Sequence, residues 1–271
     1  MPDSTTGSSE GTSSRWWEFY AVRYAMGTVV GAVVFYFLCL TTPVLKPLLF
    51  STDTRAIASV PLKLDTVQLA LLATYGLVYC YIASAPILVF HATRFLLNFD
   101  VGIRVWLRRS LCYLLLPLVG AVVVYWLAKK LTLSERLFLS CAGCLFLLTV
   151  WLQYCVVVLA LLERKKLYLF YERLARRRKG EEGGITESYR HLREHGNSFF
   201  IVLLEVLLGV VLVGMGRTQV GSGSANERLL VYIYLLVFLV WIIPAVLVWI
   251  IATVFEREFS ETKPSLWESG D

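Results

Sequence analysis

Residues Thr186 to Gly216, TESYRHLREHGNSFFIVLLEVLLGVVLVGMG, change character midway: the first half is polar and charged, and the second is almost wholly Phe, Ile, Val, Leu and Gly. An isolated apolar run of this length is comfortable in hydrocarbon only as a helix, which satisfies every backbone amide internally. The stretch therefore predicts one helix rising from water into a bilayer. Its apolar half carries a single carboxylate, Glu205. An unpaired charge there costs about 2.5 kcal/mol or more, so the fold has to give Glu205 a partner or a use.

The same pattern recurs along the chain. Apolar runs predict spans at about 20–40, 66–90, 110–127, 136–162, 199–216 and 229–255, an all-α polytopic membrane protein with six helices across the bilayer. With 57% apolar and only 17% charged residues, the chain lies outside the composition of ordinary soluble domains. Five segments follow: a tail at 1–14 expected to be disordered, a four-span bundle at 15–162, a basic helical hairpin at 163–198, the last two spans within 199–255, and a polar tail at 256–271. The tail MPDSTTGSSEGTSS has no basic residue before Arg15, so it lacks the positive region of a cleavable signal and is expected to be retained. All six cysteines fall in apolar runs, the reverse of a secreted disulfide framework.

Local features refine these segments. The border segment RWWEFYAVRY mixes Trp, Tyr, Phe and Arg as a helix does where it crosses headgroups. Gly27 and Gly31, four residues apart, make a small-residue face for close helix packing. Pro86 is expected to kink or end the second span. Residues 91–109 alternate basic and apolar side chains and suit a helix lying in the interface. Segment 163–179 keeps helical periodicity beyond the fourth span, and glycines 180, 183 and 184 break it before a return helix begins near Thr186.

Charge sets the expected orientation. Of the 26 Lys and Arg residues, eighteen lie in the first border, the 91–109 segment, the hairpin and the C-terminal tail, and eight in the alternate loops. The positive-inside rule then puts both termini and the hairpin in the cytoplasm, with the plasma (inner) membrane as the expected location.

Several constellations carry candidate chemistry. Glu205 and Arg23 sit at matching depths, about 9 Å into the hydrocarbon, which makes them candidate partners for a structural ion pair. His91, Arg94 and Gln153 are the other polar groups that would converge there if Glu205 lined a pore. Cys141 and Cys144 have the C-x-x-C spacing of a redox dithiol, but the extracytoplasmic loops supply no second pair to pass a disulfide onward, so packing is the expected role. The run Arg173, Arg176, Arg177, Arg178 and Lys179 fits anionic headgroups or a cytoplasmic regulatory protein, and its aromatics fall at helical spacing that suits packing rather than base stacking, which argues against nucleic acid. His191 and His195 share a helical face without a third ligand, so no metal or other cofactor is expected. His195, Gly196 and Asn197 are expected instead to form a hinge where the hairpin meets the membrane.

No phosphate-binding loop or nucleophile arrangement is present, and the longest hydrophilic segment is too short for a folded domain. The expected function is therefore non-enzymatic: an oligomer that forms or gates a permeation path, with a transporter using Glu205 and a structural subunit as the other classes. The orientation is directly testable. Cysteine introduced at Ser222 should react with an impermeant thiol reagent applied outside intact cells, while cysteine at Gly183 should be protected; the reverse pattern inverts the topology.

Overall fold

The computed structural model describes residues 11–43, 45–50, 64–96, 115, 117–126, 128–129, 131–178, 183–219 and 224–262, with backbone only at 11–23, 175, 177–178, 183–197, 219 and 224–228. These residues form helices α1 (Gly11–Thr41), α2 (Thr66–Ala83), α3 (Ala85–Ala92), α4 (Pro117–Trp126), α5 (Leu133–Leu162), α6 (Arg164–Arg178), α7 (Gly183–Gln219) and α8 (Ser224–Thr262). Short 3-10 turns stand at Lys46–Leu48 and Arg94–Leu96, and the described residues contain no strand. The chain is all-helical.

Five stretches are long and apolar enough to cross a membrane: Tyr24–Thr41, Thr66–Ala92 formed by α2 and α3, Leu133–Leu162, Ser198–Thr218 and Leu229–Thr262. α4 is shorter, and residues 110–114, 116 and 127 of the expected third span lie outside the described residues. Helix α1 begins at Gly11, inside the segment expected as a tail, and α8 runs on to Thr262, past the expected boundary at 255. Of the expected interfacial helix at 91–109, His91 and Ala92 belong to α3 and residues 94–96 to a 3-10 turn, while 97–109 lie outside the described residues.

Two helix starts are fixed by reciprocal side-chain caps. At α2 the Gln68 amide donates to Asp65 at 2.7 Å while the Asp65 amide donates to the Gln68 side chain at 2.9 Å. At α5 the Thr132 amide donates to the Glu135 carboxylate at 3.0 Å, and the Glu135 amide donates back to the Thr132 hydroxyl at 3.4 Å. Each box satisfies amide donors that the first turn of a helix otherwise leaves free.

The tightest seam joins α1 to α2. Gly27 and Gly31 both face α2: a Cβ on Gly31 would run into the Gly76 carbonyl, and one on Gly27 would run into the Cys80 sulfur. Conversely a Cβ on Gly76 would lie 2.6 Å from the Ala32 nitrogen and 2.9 Å from its Cα. Backbone therefore meets backbone, a contact that only missing side chains permit.

The second span is broken at Ser84, one residue before α3, and Pro86 sits in the first turn of α3. Pro86 has no N–H for the Ile82 carbonyl, and the Ile87 amide bonds to Ser84 at 3.0 Å rather than to Ala83. The indole N–H of Trp241 on α8 takes up both carbonyls, 3.1 Å from Ile82 and 3.3 Å from Ala83. Trp241 is fully buried and stacks on Phe146 of α5, with ring centroids 5.1 Å apart and planes 6° from parallel. One side chain thus ties α2, α5 and α8 together at the break.

α6 follows α5 with only Glu163 between them, and the amides of Lys166 and Leu167 bond to the Glu163 carbonyl at 2.9 and 3.1 Å. Its Leu167, Tyr168 and Tyr171 pack with Ala160 of α5, Phe255 and Phe259 of α8, and Phe95. The Tyr171 hydroxyl donates to the Ala92 carbonyl at 2.9 Å, fixing α6 to the end of α3. α7 then runs 37 residues without a break. It passes through His195, Gly196 and Asn197 as helix, so the bend expected there does not interrupt it; the side chains of these three lie outside the described residues.

The α1–α2 seam makes a sharp expectation. Gly76→Ala drives a methyl into backbone that cannot rotate away and should destabilise the protein by about 1–3 kcal/mol, read as a lower midpoint in detergent thermal unfolding. Thr74→Ala, on the exposed face of the same helix, should stay within about 0.5 kcal/mol of the parent protein.

Candidate functional site

Glu205 lies on the buried face of α7 with Ile201, Leu204, Leu208 and Leu212. Its side chain is 0% exposed and faces α1 and α2, and a Cβ on Gly27 would come within 3.2 Å of Oε1. The bare Gly27 is what leaves room for the carboxyl. The Cys80 thiol lies beside it, but neither carboxyl oxygen completes a well-formed hydrogen bond among the described residues. The Tyr79 hydroxyl instead donates to the backbone carbonyl of Glu205 at 2.8 Å. Arg23 stands one turn before Gly27 in α1; its side chain lies outside the described residues, and the expected pair with it.

The other polar groups expected to converge on Glu205 make no hydrogen bond to it. His91 and Arg94 sit together at the end of α3, with Nη1 of Arg94 3.4 Å from Nε2 of His91 and the guanidinium 5.6 Å from the centre of the Phe170 ring. Gln153 is fully buried on the face of α5 that also carries Phe146, Val150 and Val157. Neither atom of its amide has a hydrogen-bond partner among the described residues. A buried amide without a partner costs several kcal/mol in a fully apolar setting, so Gln153 joins Glu205 as a buried polar group without a hydrogen bond among the described residues.

Two tyrosines brace α7 in the same way. Tyr79 reaches the Glu205 carbonyl beside Gly209, and Tyr234 of α8 donates to the Leu212 carbonyl at 2.9 Å beside Gly216. In each case the glycine stands four residues after the carbonyl, and its missing Cβ gives the hydroxyl space. Thr42, fully buried at the end of α1, adds a contact of 3.1 Å to the Tyr234 hydroxyl. In the sequence Tyr79, Tyr234 and Trp241 look like ordinary core, as any aromatic in an apolar run does. The available signal was the polar tip each carries, which has to find a partner when buried.

The remaining candidates separate. Cys141 is exposed, Cys144 half-buried, and both are free thiols. In the basic run, Arg173 is exposed and Arg176 pairs with the buried Glu172 at 3.1 Å. The side chains of Arg177 and Arg178 and all of Lys179 lie outside the described residues. Among the described residues no three His, Cys, Asp or Glu side chains group as a metal site.

A groove of about 650 Å3 opens between α3, α5 and α7. Leu204 and Val206 line it, but Glu205 between them does not. The groove is apolar along most of its length and carries His91 and Arg94 at one end. Comparison with known proteins found no matching family model, no similar characterised protein and no similar solved structure.

The geometry at Glu205 can be tested by substitution. Glu205→Leu removes a buried carboxyl with no hydrogen bond among the described residues and should leave thermal stability unchanged or raised. A fall of about 3 kcal/mol or more would show instead that the carboxylate holds a buried charge partner, Arg23 being the first to examine by the paired swap.

Proposed function

We propose that this chain is a non-enzymatic six-span membrane protein that oligomerises and forms or gates a permeation path, as a channel or a membrane-permeabilising effector controlled through its basic hairpin. The distribution of Lys and Arg favours a plasma membrane location with both termini and the hairpin in the cytoplasm. One observation carries the reading: α7 is a single helix from Gly183 in the hairpin to Gln219, with Glu205 in its buried half. At 1.5 Å per residue the hairpin end stands about 33 Å from Glu205 along one stiff rod. The other arm of the hairpin joins α5 through one residue and is bonded to α3 through Tyr171. A cytoplasmic partner that shifts the hairpin therefore moves α3, α5 and α7 together, which is the coupling a gated path requires. Glu205 is sealed from solvent in this conformation, and we take it as the closed one.

A transporter that uses Glu205 is the second reading, favoured by a wholly buried carboxyl whose oxygens find no hydrogen bond among the described residues. Flux measured on purified protein in liposomes separates the two. A permeation path gives ion or dye release without a pH gradient, changed in size by Arg173→Glu in the hairpin and in selectivity by Glu205→Gln. A transporter gives flux that follows the pH gradient and is lost in Glu205→Gln. Absence of flux from folded, oligomeric protein would overturn both and leave the structural-subunit class.

A further inference from the structure

The groove between α3, α5 and α7 has the shape and charge of a lipid site. Phe138, Leu145 and Phe200 on its walls remain 64, 55 and 54% exposed, so it is open sideways rather than closed within the bundle. Along α7 its lining runs from Phe200 to Val210, ten residues or about 15 Å, which matches half of a hydrocarbon core about 30 Å thick. One leaflet's acyl chain has that reach. The basic groups are confined to one end, where His91 and Arg94 lie side by side at the end of α3 that α6 is bonded to.

We propose that this groove holds an anionic phospholipid of the surrounding bilayer, its phosphate against Arg94 and His91 and one acyl chain lying between α5 and α7. The charge at the end of the groove selects among occupants. Residues 97–114 of this chain carry Arg104, Arg108 and Arg109 against the single acid Asp100, the same sign as the groove end. A second copy carries a net charge of +6, again the sign of the groove end. A phosphate with an apolar chain complements both parts of the groove at once. The inference needs the chain to sit in a bilayer and does not depend on permeation.

Photoactivatable phosphatidylglycerol, with the reactive group in an acyl chain, can be compared with the matching phosphatidylcholine on the full-length protein in nanodiscs. Phosphatidylglycerol should label groove residues such as Leu145 and Leu203 several-fold more. Arg94→Gln should cut that preference about fivefold, while Arg94→Lys keeps most of it. Leu203→Trp, which fills the groove, should lower labelling by both lipids in protein whose helicity and elution volume match the parent. Equal labelling by the two headgroups would overturn the proposal, as would labelling of outward residues on α8 such as Leu236 at the same rate as the groove. A photoreactive residue at 203 that crosslinks to residues 97–114 or to a second copy, in place of lipid, would also sink it.

Discussion

A broken helix in hydrocarbon has to repair its own backbone, and Trp241 makes that repair. Where Pro86 interrupts the second span, the Ile82 and Ala83 carbonyls turn to the indole N–H at 3.1 and 3.3 Å. With no water at that depth, an unsatisfied carbonyl costs several kcal/mol, so the break persists only where another helix supplies a donor. The donor side chain is itself held by the stack on Phe146. α8 and α5 are thus joined to α2 at its broken end through a single backbone need. Tyr79 and Tyr234 extend the same principle to α7, each reaching a helical carbonyl beside a glycine.

The second organising contact is the absence of side chains at Gly27, Gly31 and Gly76. It brings α1 and α2 to backbone contact, and α7 closes over both. Glu205 is buried in that three-helix junction, where Gly27 makes room for its carboxyl. On the other side of α7, packing is incomplete: Leu204 and Val206 line an open groove toward α3 and α5. The two faces of one helix therefore differ in kind, one dry and tight and the other open. The same helix continues unbroken back to Gly183.

Helix positions were largely legible from the chain. Apolar runs of about twenty residues predict helices wherever they occur, and Pro86 marked the break in the second span. Helix ends were less legible: α1 starts at Gly11 and α8 ends at Thr262, because polar residues extend a helix beyond the hydrocarbon at little cost. Gly196 lies inside α7 without ending it. Glycine weakens a helix by about 1 kcal/mol, a deficit that the long helices on either side of it absorb.

The sequence by itself determined that this is an all-helical chain with stretches fit to cross a membrane, because hydrocarbon leaves the backbone no other choice over apolar runs of that length. Tertiary structure alone decided which helices touch. Periodicity reports a buried face but not the neighbour it is buried against, so the grouping of Glu205 with Gly27 and Cys80, and of His91 and Arg94 with the groove, could not be read from depth along each helix. Equal depth puts two groups on the same level of a bundle. Only the packing of backbone on backbone, and of tyrosine and tryptophan tips on freed carbonyls, fixes which side of which helix each one faces.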